Sequence, residues 1–142
     1  GFAIDMASDA RPVSVIAFDF DNFKQVNDQY GHAAGDHVLR ASCALIQQSF
    51  VRAEDLFARM GGEEFAIVMP DTSLQRAVEA AEKLRAMFEE RSFAYEGQEI
   101  RLTSSFGVCT ATSPLEQPEF LLLRGDELLY RSKREGRNRV SA

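Results

Sequence analysis

The chain predicts an α+β sandwich of the ferredoxin-like or palm type, with helices packed around a mainly antiparallel central sheet. Three observations carry this. An apolar run of strand length occupies 13–18. Two strand-like runs, 56–60 and 65–69, are joined by Gly61-Gly62, and glycine supplies the positive φ that a tight hairpin turn requires. Amphipathic helical spacing alternates with the remaining strand-like runs. The central hairpin speaks against a doubly wound parallel sheet. At 142 residues and 45% apolar, the chain has the bulk for one domain over 1–142 with a real core.

Taken in order, residues 1–10 read as a short helix remnant, broken by Arg11-Pro12. The run 13–18 is continuous enough for a buried central strand, and it ends in Asp19-Phe20-Asp21-Asn22. Period-two spacing puts Val15, Ala17, Asp19 and Asp21 on one face. Asp21 is then a good N-cap for a short helix from Phe23 to Tyr30, stopped by Gly31. Gly35-Asp36 opens the next helix, which Val38, Leu39, Ser42, Leu45 and Ile46 carry to about Phe50. A polar link, Arg52-Ala53-Glu54-Asp55, leads into the Gly-Gly hairpin, whose tip carries Glu63 and Glu64. Pro70 stops the hairpin and Ser73 lies at the start of a clean amphipathic helix to about Glu90. A weaker hairpin is expected over 93–102, a strand over 103–112, a loop over 114–118 and a helix over 119–134 stopped by Gly136. Val140 suggests a last short strand.

The chain's net charge of −6 argues against a general nucleic-acid binder. The charge is uneven. Residues 124–139 hold six basic against three acidic side chains, +3, which leaves −9 on the remainder. A basic tail on an acidic body suits a small polyanion held partly by metal ions. Apolar runs of about 18 residues are absent, so no membrane contact is expected of this domain. The start lacks the basic and apolar blocks of a signal peptide. It also lacks an initiator Met, so the reading is a cytoplasmic fragment of a longer regulated protein, compatible with a membrane anchor upstream. Cys43 and Cys109 form no CxxC and read as reduced core thiols.

In a βαββ arrangement the end of the first strand lies beside the hairpin, so Asp19 approaches Glu63. Carboxylates packed together repel, and a Mg²⁺ between them removes the repulsion. Mg²⁺ favours one or two carboxylates together with phosphate oxygens and water. Strand alternation sends Glu63 and Glu64 to opposite faces; Glu63 is the surer ligand, and Glu64 is either a second ligand or a support for the turn. An EF-hand reading fails, because Lys24 and Tyr30 stand where its glycine and terminal glutamate belong. A haloacid-dehalogenase-type phosphatase also follows a strand with Asp-x-Asp, but it wants Thr or Val where Phe23 stands, and it remains a distant alternative.

Three separated motifs, Asp19-Phe-Asp-Asn-Phe-Lys24-Gln-Val-Asn27 continuing to Gly35-Asp36, then Gly61-Gly62-Glu63-Glu64-Phe65, then Lys133-Arg-Glu-Gly136-Arg137-Asn138, make the chain resemble the GGDEF family of diguanylate cyclases in its GGEEF version. The resemblance covers nearly the whole chain. It implies a palm like that of nucleotide cyclases and polymerases, condensing two GTP into cyclic di-GMP with release of two pyrophosphates. It implies Mg²⁺, with Mn²⁺ as substitute, on Asp19, the main-chain carbonyl of Phe20, and Glu63. Glu63 or Glu64 is implied as the base for the attacking 3′-hydroxyl. Asn27 and Asp36 match guanine-edge readers, which suits guanine's N–H donors. His32 matches a substrate contact. Lys24 matches a phosphate or transition-state contact, with helix-start amides at Phe23 and Lys24 as a phosphate cradle. Lys133 and Arg137 match triphosphate binders. Because one domain holds one GTP, the resemblance implies a catalytic homodimer.

Arg52 and Asp55, at fixed spacing before Gly61, match the family's RxxD product-inhibition site. Lys83 stands where some members add an Arg, and it lacks the planar bidentate grip of arginine. The resemblance implies that Gly1 starts just beyond a segment that usually precedes this domain in the family. A non-catalytic cyclic di-GMP receptor is the alternative expectation; such degenerate members usually lose an acidic turn residue, and both are kept here.

Overall fold

In the computed structural model, residues 11–111, 113 and 117–142 are described. The helix expected over 1–10 and most of the loop expected over 114–118 lie outside them. The first strand, β1 (Val13–Phe20), is followed by α1 (Phe23–Tyr30) and α2 (His32–Ser49). The hairpin strands are β2 (Leu56–Gly61) and β3 (Glu64–Met69), and α3 (Leu74–Glu90) follows. A small ribbon, β4 (Phe93–Tyr95) and β5 (Gln98–Ile100), precedes β6 (Ser104–Ala111). The chain finishes with α4 (Pro118–Arg134) and β7 (Val140–Ser141).

The main sheet runs β2-β3-β1-β6-β7. β1 is antiparallel to both β3 and β6, so the most apolar strand is central. Among the described strands only β7 breaks the pattern, pairing parallel to β6. Alternation along β1 sorts its side chains between two layers. Ile16, Phe18 and Phe20 enter the larger core with Val38, Ile46, Leu84 and Phe88 from α2 and α3. Val15 faces the other way, into a smaller core with Cys109, Ala111 and Leu121 under α4. Phe18 packs its ring 5.4 Å from Phe106 and 5.6 Å from Phe65. Such ring pairs contribute about 0.5–1.5 kcal/mol beyond their buried area, and here they bind together three adjacent strands one residue short of Asp19.

Three local expectations are corrected. Asp21 does not cap α1: the cap residue is Asn22, in the left-handed region at φ 55°, and no side chain caps this helix. Helix α2 begins at His32 rather than at Gly35-Asp36, because Gly31 at φ 94° turns the chain directly from one helix into the next. Pro118 belongs to α4, at its first position, where a fixed φ and a missing N–H cost nothing. At α3 the Ser73 hydroxyl accepts from the Arg76 amide at 3.2 Å, an ordinary N-cap.

Helix α4 lies unusually close to the sheet. A Cβ on Gly107 would stand 2.2 Å from the Gly125 carbonyl oxygen and 2.3 Å from the Leu129 amide. Backbone against backbone is possible only because Gly107 has no side chain. This approach brings the C-terminal end of α4 to the end of β1.

Candidate active site

Asp19 sits at the C-terminal end of β1 and is 7% exposed. Its Oδ2 accepts a hydrogen bond from the Lys133 ammonium, on the last turn of α4. Its Oδ1 is buried with no hydrogen-bond partner. Burial pushes the Asp19 carboxyl above the usual carboxylate range; Lys133 pulls it down, and the charges of Asp21 and Glu63 push it up. The Ser104 hydroxyl donates to the Asp19 carbonyl, fixing the strand end.

A cavity of about 180 Å³ opens at this strand end. Asp19, Glu63, Lys24, Lys133 and Arg137 all border it, together with Phe20 and Phe23. The Phe20 ring is in the core, edge-on to Phe88 at 5.2 Å, so its main chain is the part left for the cavity. Thus three carboxylates, counting Asp21, and three cations, drawn from the end of β1, the hairpin, α1 and the end of α4, converge on one space. Asp21 and Asn22 complete the rim.

The hairpin tip is held by more than its glycines. Gly62 has φ 51°, and the register slips between Arg59 and Gly61. Arg59 Nε donates to the Gly62 carbonyl at 2.6 Å, with the guanidinium 5.9 Å from the Phe65 ring centroid. Glu63 is thereby turned to the Asp19 cavity. Glu64 is paired across the sheet with Asp19, but it borders a separate groove of about 370 Å³ between the hairpin and α4. There it shares a hydrogen bond with the Asp126 carboxyl. That bond, burial, and the charges of Asp126 and Asp19 together push Glu64 up to about 7.

Asn27 and Asp36 stand away from this cavity, on consecutive helices. The Asn27 side chain packs onto Gly35: a Cβ there would stand 1.8 Å from Asn27 Oδ1. His32 is exposed at the first residue of α2, one turn before Asp36 and on the same face.

The RxxD turn is closed on itself. Arg52 Nη2 donates to Asp55 Oδ1 at 2.8 Å and Nε at 3.1 Å, while the Arg52 amide donates to Asp55 Oδ2 at 2.9 Å. Nη2 also reaches the Thr72 hydroxyl at 2.7 Å. The Asp55 carboxylate is fully covered, and the Arg52 side chain stays 39% exposed. Lys83 lies nine residues past Leu74 on α3, roughly 14 Å along the axis at 1.5 Å per residue, and borders a different groove, with Met87, Glu90 and Arg91.

Two participants are not expected from the sequence in the roles they take. Asp126 lies two helical turns before Lys133, and that heptad spacing is the signal that puts both on one face of α4. Asp21, read as a cap, instead accepts from the Thr103 and Ser105 hydroxyls at 2.7 and 2.6 Å and from the Asn138 amide at 3.0 Å. No local pattern reveals partners so far along the chain.

The residues suit a hard cation. Asp19 offers a buried, unpartnered oxygen, and the Phe20 carbonyl and Glu63 offer further oxygens around the same space. Among the described residues no group of three or more His, Cys, Asp or Glu side chains is assembled as a metal cage. An ion there would need oxygen ligands from outside the protein, as Mg²⁺ ordinarily takes.

Fold and site together define a palm-like α+β domain with an acidic, cation-flanked cleft at the end of its central strand. The chain belongs to the GGDEF family: the family described as "Diguanylate cyclase, GGDEF domain" matches residues 2–139. It is 43% identical over 129 residues to diguanylate cyclase A of Treponema denticola, covering 91% of this chain and 34% of that protein. It is 44% identical over 131 residues to the response regulator PleD of Caulobacter vibrioides, covering 91% of this chain and 29% of PleD. The chain thus spans about a third of the length of these relatives. Among solved structures, the GGDEF domain of DgcB from Caulobacter crescentus, in complex with c-di-GMP, superposes with a TM-score of 0.88 at 30% identity, covering 99% of this chain and 80% of that one. The active GGEEF domain of a Vibrio cholerae diguanylate cyclase gives 0.85 at 34% identity, covering 98% and 87%.

Proposed function

We propose that this chain is the catalytic domain of a diguanylate cyclase, joining two GTP molecules into cyclic di-GMP and releasing two pyrophosphates. The observation that carries the reading is the Asp19 carboxylate, with one buried unpartnered oxygen, facing Glu63 across a cavity rimmed by Lys24, Lys133 and Arg137. Lys133, Arg137 and Lys24, with the α1 amides at Phe23 and Lys24, hold the triphosphate. Asn27 and Asp36 read the guanine edge, with His32 beside them. The 3′-oxygen of one GTP attacks the α-phosphorus of the other, the bond to pyrophosphate breaks, and the proton passes to a hairpin carboxylate. Glu63 is the better placed for that proton, since Glu64 is turned to Asp126. Asp19, the Phe20 carbonyl and Glu63 would hold Mg²⁺ or Mn²⁺, which when bound would stabilise the developing charge.

Each chain holds one GTP, so two chains face each other for both bonds to form. GTP and product place the reaction in the cytoplasm. Among the described residues no helix is long and apolar enough to cross a membrane. Cyclic di-GMP feeds back at Arg52 and Asp55, with Lys83 as a looser contact. Since Asp55 is already taken by Arg52, product would meet the exposed part of the Arg52 guanidinium first.

The test is GTP turnover with Mg²⁺ at high protein concentration, after phosphodiesterase treatment to strip bound product, read by chromatography. Cyclic di-GMP that disappears in Glu63→Ala supports the cyclase. The preformed Arg52 turn favours a second reading, a non-catalytic cyclic di-GMP receptor, which predicts tight binding with no turnover. Inorganic phosphate without pyrophosphate would point instead to a phosphatase.

A further inference from the structure

We infer that Asn138 is a positioning residue that fixes Arg137 toward the cavity, an inference that rests on Arg137 gripping the triphosphate. The chain leaves α4 through three residues of positive φ, Gly136 at 127°, Arg137 at 64° and Asn138 at 48°. For a non-glycine residue this backbone is unfavourable, least so for Asn. Arg137 has nothing in its side chain to lower that cost locally, so its conformation is held by bonds around it. On one side its amide donates to the Ser132 carbonyl at 2.9 Å.

On the other side Asn138 ties the turn to three elements at once. Its amide donates to Asp21 Oδ2 at 3.0 Å, at the end of β1, and to Ser105 Oγ at 3.1 Å, in β6. Its side chain meets α3: Nδ2 donates to Glu89 at 3.1 Å, and Oδ1 accepts from Arg85 Nη1 at 3.2 Å. Arg85 and Glu89 are themselves paired. Asn138 does not border the cavity, whereas Arg137 does. The amide side chain therefore acts on ligand only through the residue before it, and α3 becomes part of the frame that sets a phosphate-binding arginine.

Asn138→Gly is the discriminating variant, because glycine keeps the left-handed backbone and removes only the amide group. Affinity for a non-hydrolysable GTP analogue with Mg²⁺ is measured by calorimetry in the whole chain. The expected result is a loss of about tenfold, in the range that misplacement of a positioning contact produces. In an Arg137→Ala background the same change has no further effect. Glu89→Ala, exposed and on the far side of the contact, reproduces part of the loss and covers the case in which Asn138→Gly fails to fold. Unchanged affinity in Asn138→Gly, or an equal loss with Arg137 already removed, would overturn the inference while leaving the cyclase reading intact. An unmodified chain that does not bind the analogue, or an Arg137→Ala chain that binds it normally, overturns the inference together with the role given to Arg137.

Discussion

The Asp19 carboxylate is held in a costly state, with one oxygen on Lys133 and the other buried without a partner. Its raised pKa means that the folded chain binds the Asp19 proton more tightly than the unfolded chain does. Stability from this group therefore falls as pH rises from the unfolded value, and the full penalty is reached once pH passes the raised folded value. Asp19→Asn removes the charge, so its thermal midpoint at pH 7 without metal should equal or exceed that of the unmodified chain. Added Mg²⁺ should raise the midpoint of the unmodified chain and leave the variant unmoved; scanning calorimetry with and without Mg²⁺ reads both. Gly35 makes the same kind of argument by contact. Its backbone is helical, where alanine would ordinarily gain about 1 kcal/mol, but the new methyl would strike the Asn27 amide. Gly35→Ala should raise the KM for GTP several-fold through Asn27 while the fold survives. At this scale the sequence was most legible where spacing and family pattern agreed: Asp19, Lys24, Glu63, Lys133 and Arg137 do share one cavity. It misled at Asp21, where the local capping rule lost to the hydroxyls of Thr103, just before β6, and Ser105, within it.

Among elements, the seating of α4 decides whether Lys133 reaches Asp19. Gly107→Ala would press a methyl into the backbone of Gly125 and Leu129, which cannot swing aside as a side chain does. Overpacking of this kind costs about 1–3 kcal/mol, so the urea midpoint should fall and cyclase activity should fall with it as Lys133 is displaced. The order of strands and helices was legible from hydrophobic period and turn residues. The closeness of α4 to β6 was not, because a glycine in a strand does not say which backbone approaches it. The Glu64–Asp126 contact adds a pH dependence at this scale. With Glu64 pushed up to about 7, the folded chain holds the extra proton between its ordinary value and pH 7, so metal-free stability declines as pH rises through that window. Asp126→Asn removes the leading cause, and its melting temperature should vary less between pH 5 and pH 7 than that of the unmodified chain.

For the molecule as a whole, the proposed reaction has a stoichiometry that one chain cannot satisfy. On the proposed reading the cavity of about 180 Å³ at Asp19 and Glu63 takes one triphosphate, and Asn27 and Asp36 take one guanine, yet two phosphodiester bonds must form. Two copies related by a two-fold axis give each GTP the other's 3′-hydroxyl. Specific activity should accordingly rise with protein concentration in dilute solution. Mixing gives a sharper test. In a symmetric pair both halves must be competent to close the ring, so only pairs of two unmodified chains yield cyclic product. Diluting the chain with an equal amount of Glu63→Ala, at fixed total concentration, should leave about a quarter of the cyclic di-GMP rate. It should also release a linear dinucleotide from mixed pairs, because one half can still complete one bond. A rate that falls only to half, with no linear product, would mean that a single chain makes both bonds and would remove the need for facing copies. The experiment separates these cases because the first depends on the square of the competent fraction and the second on its first power.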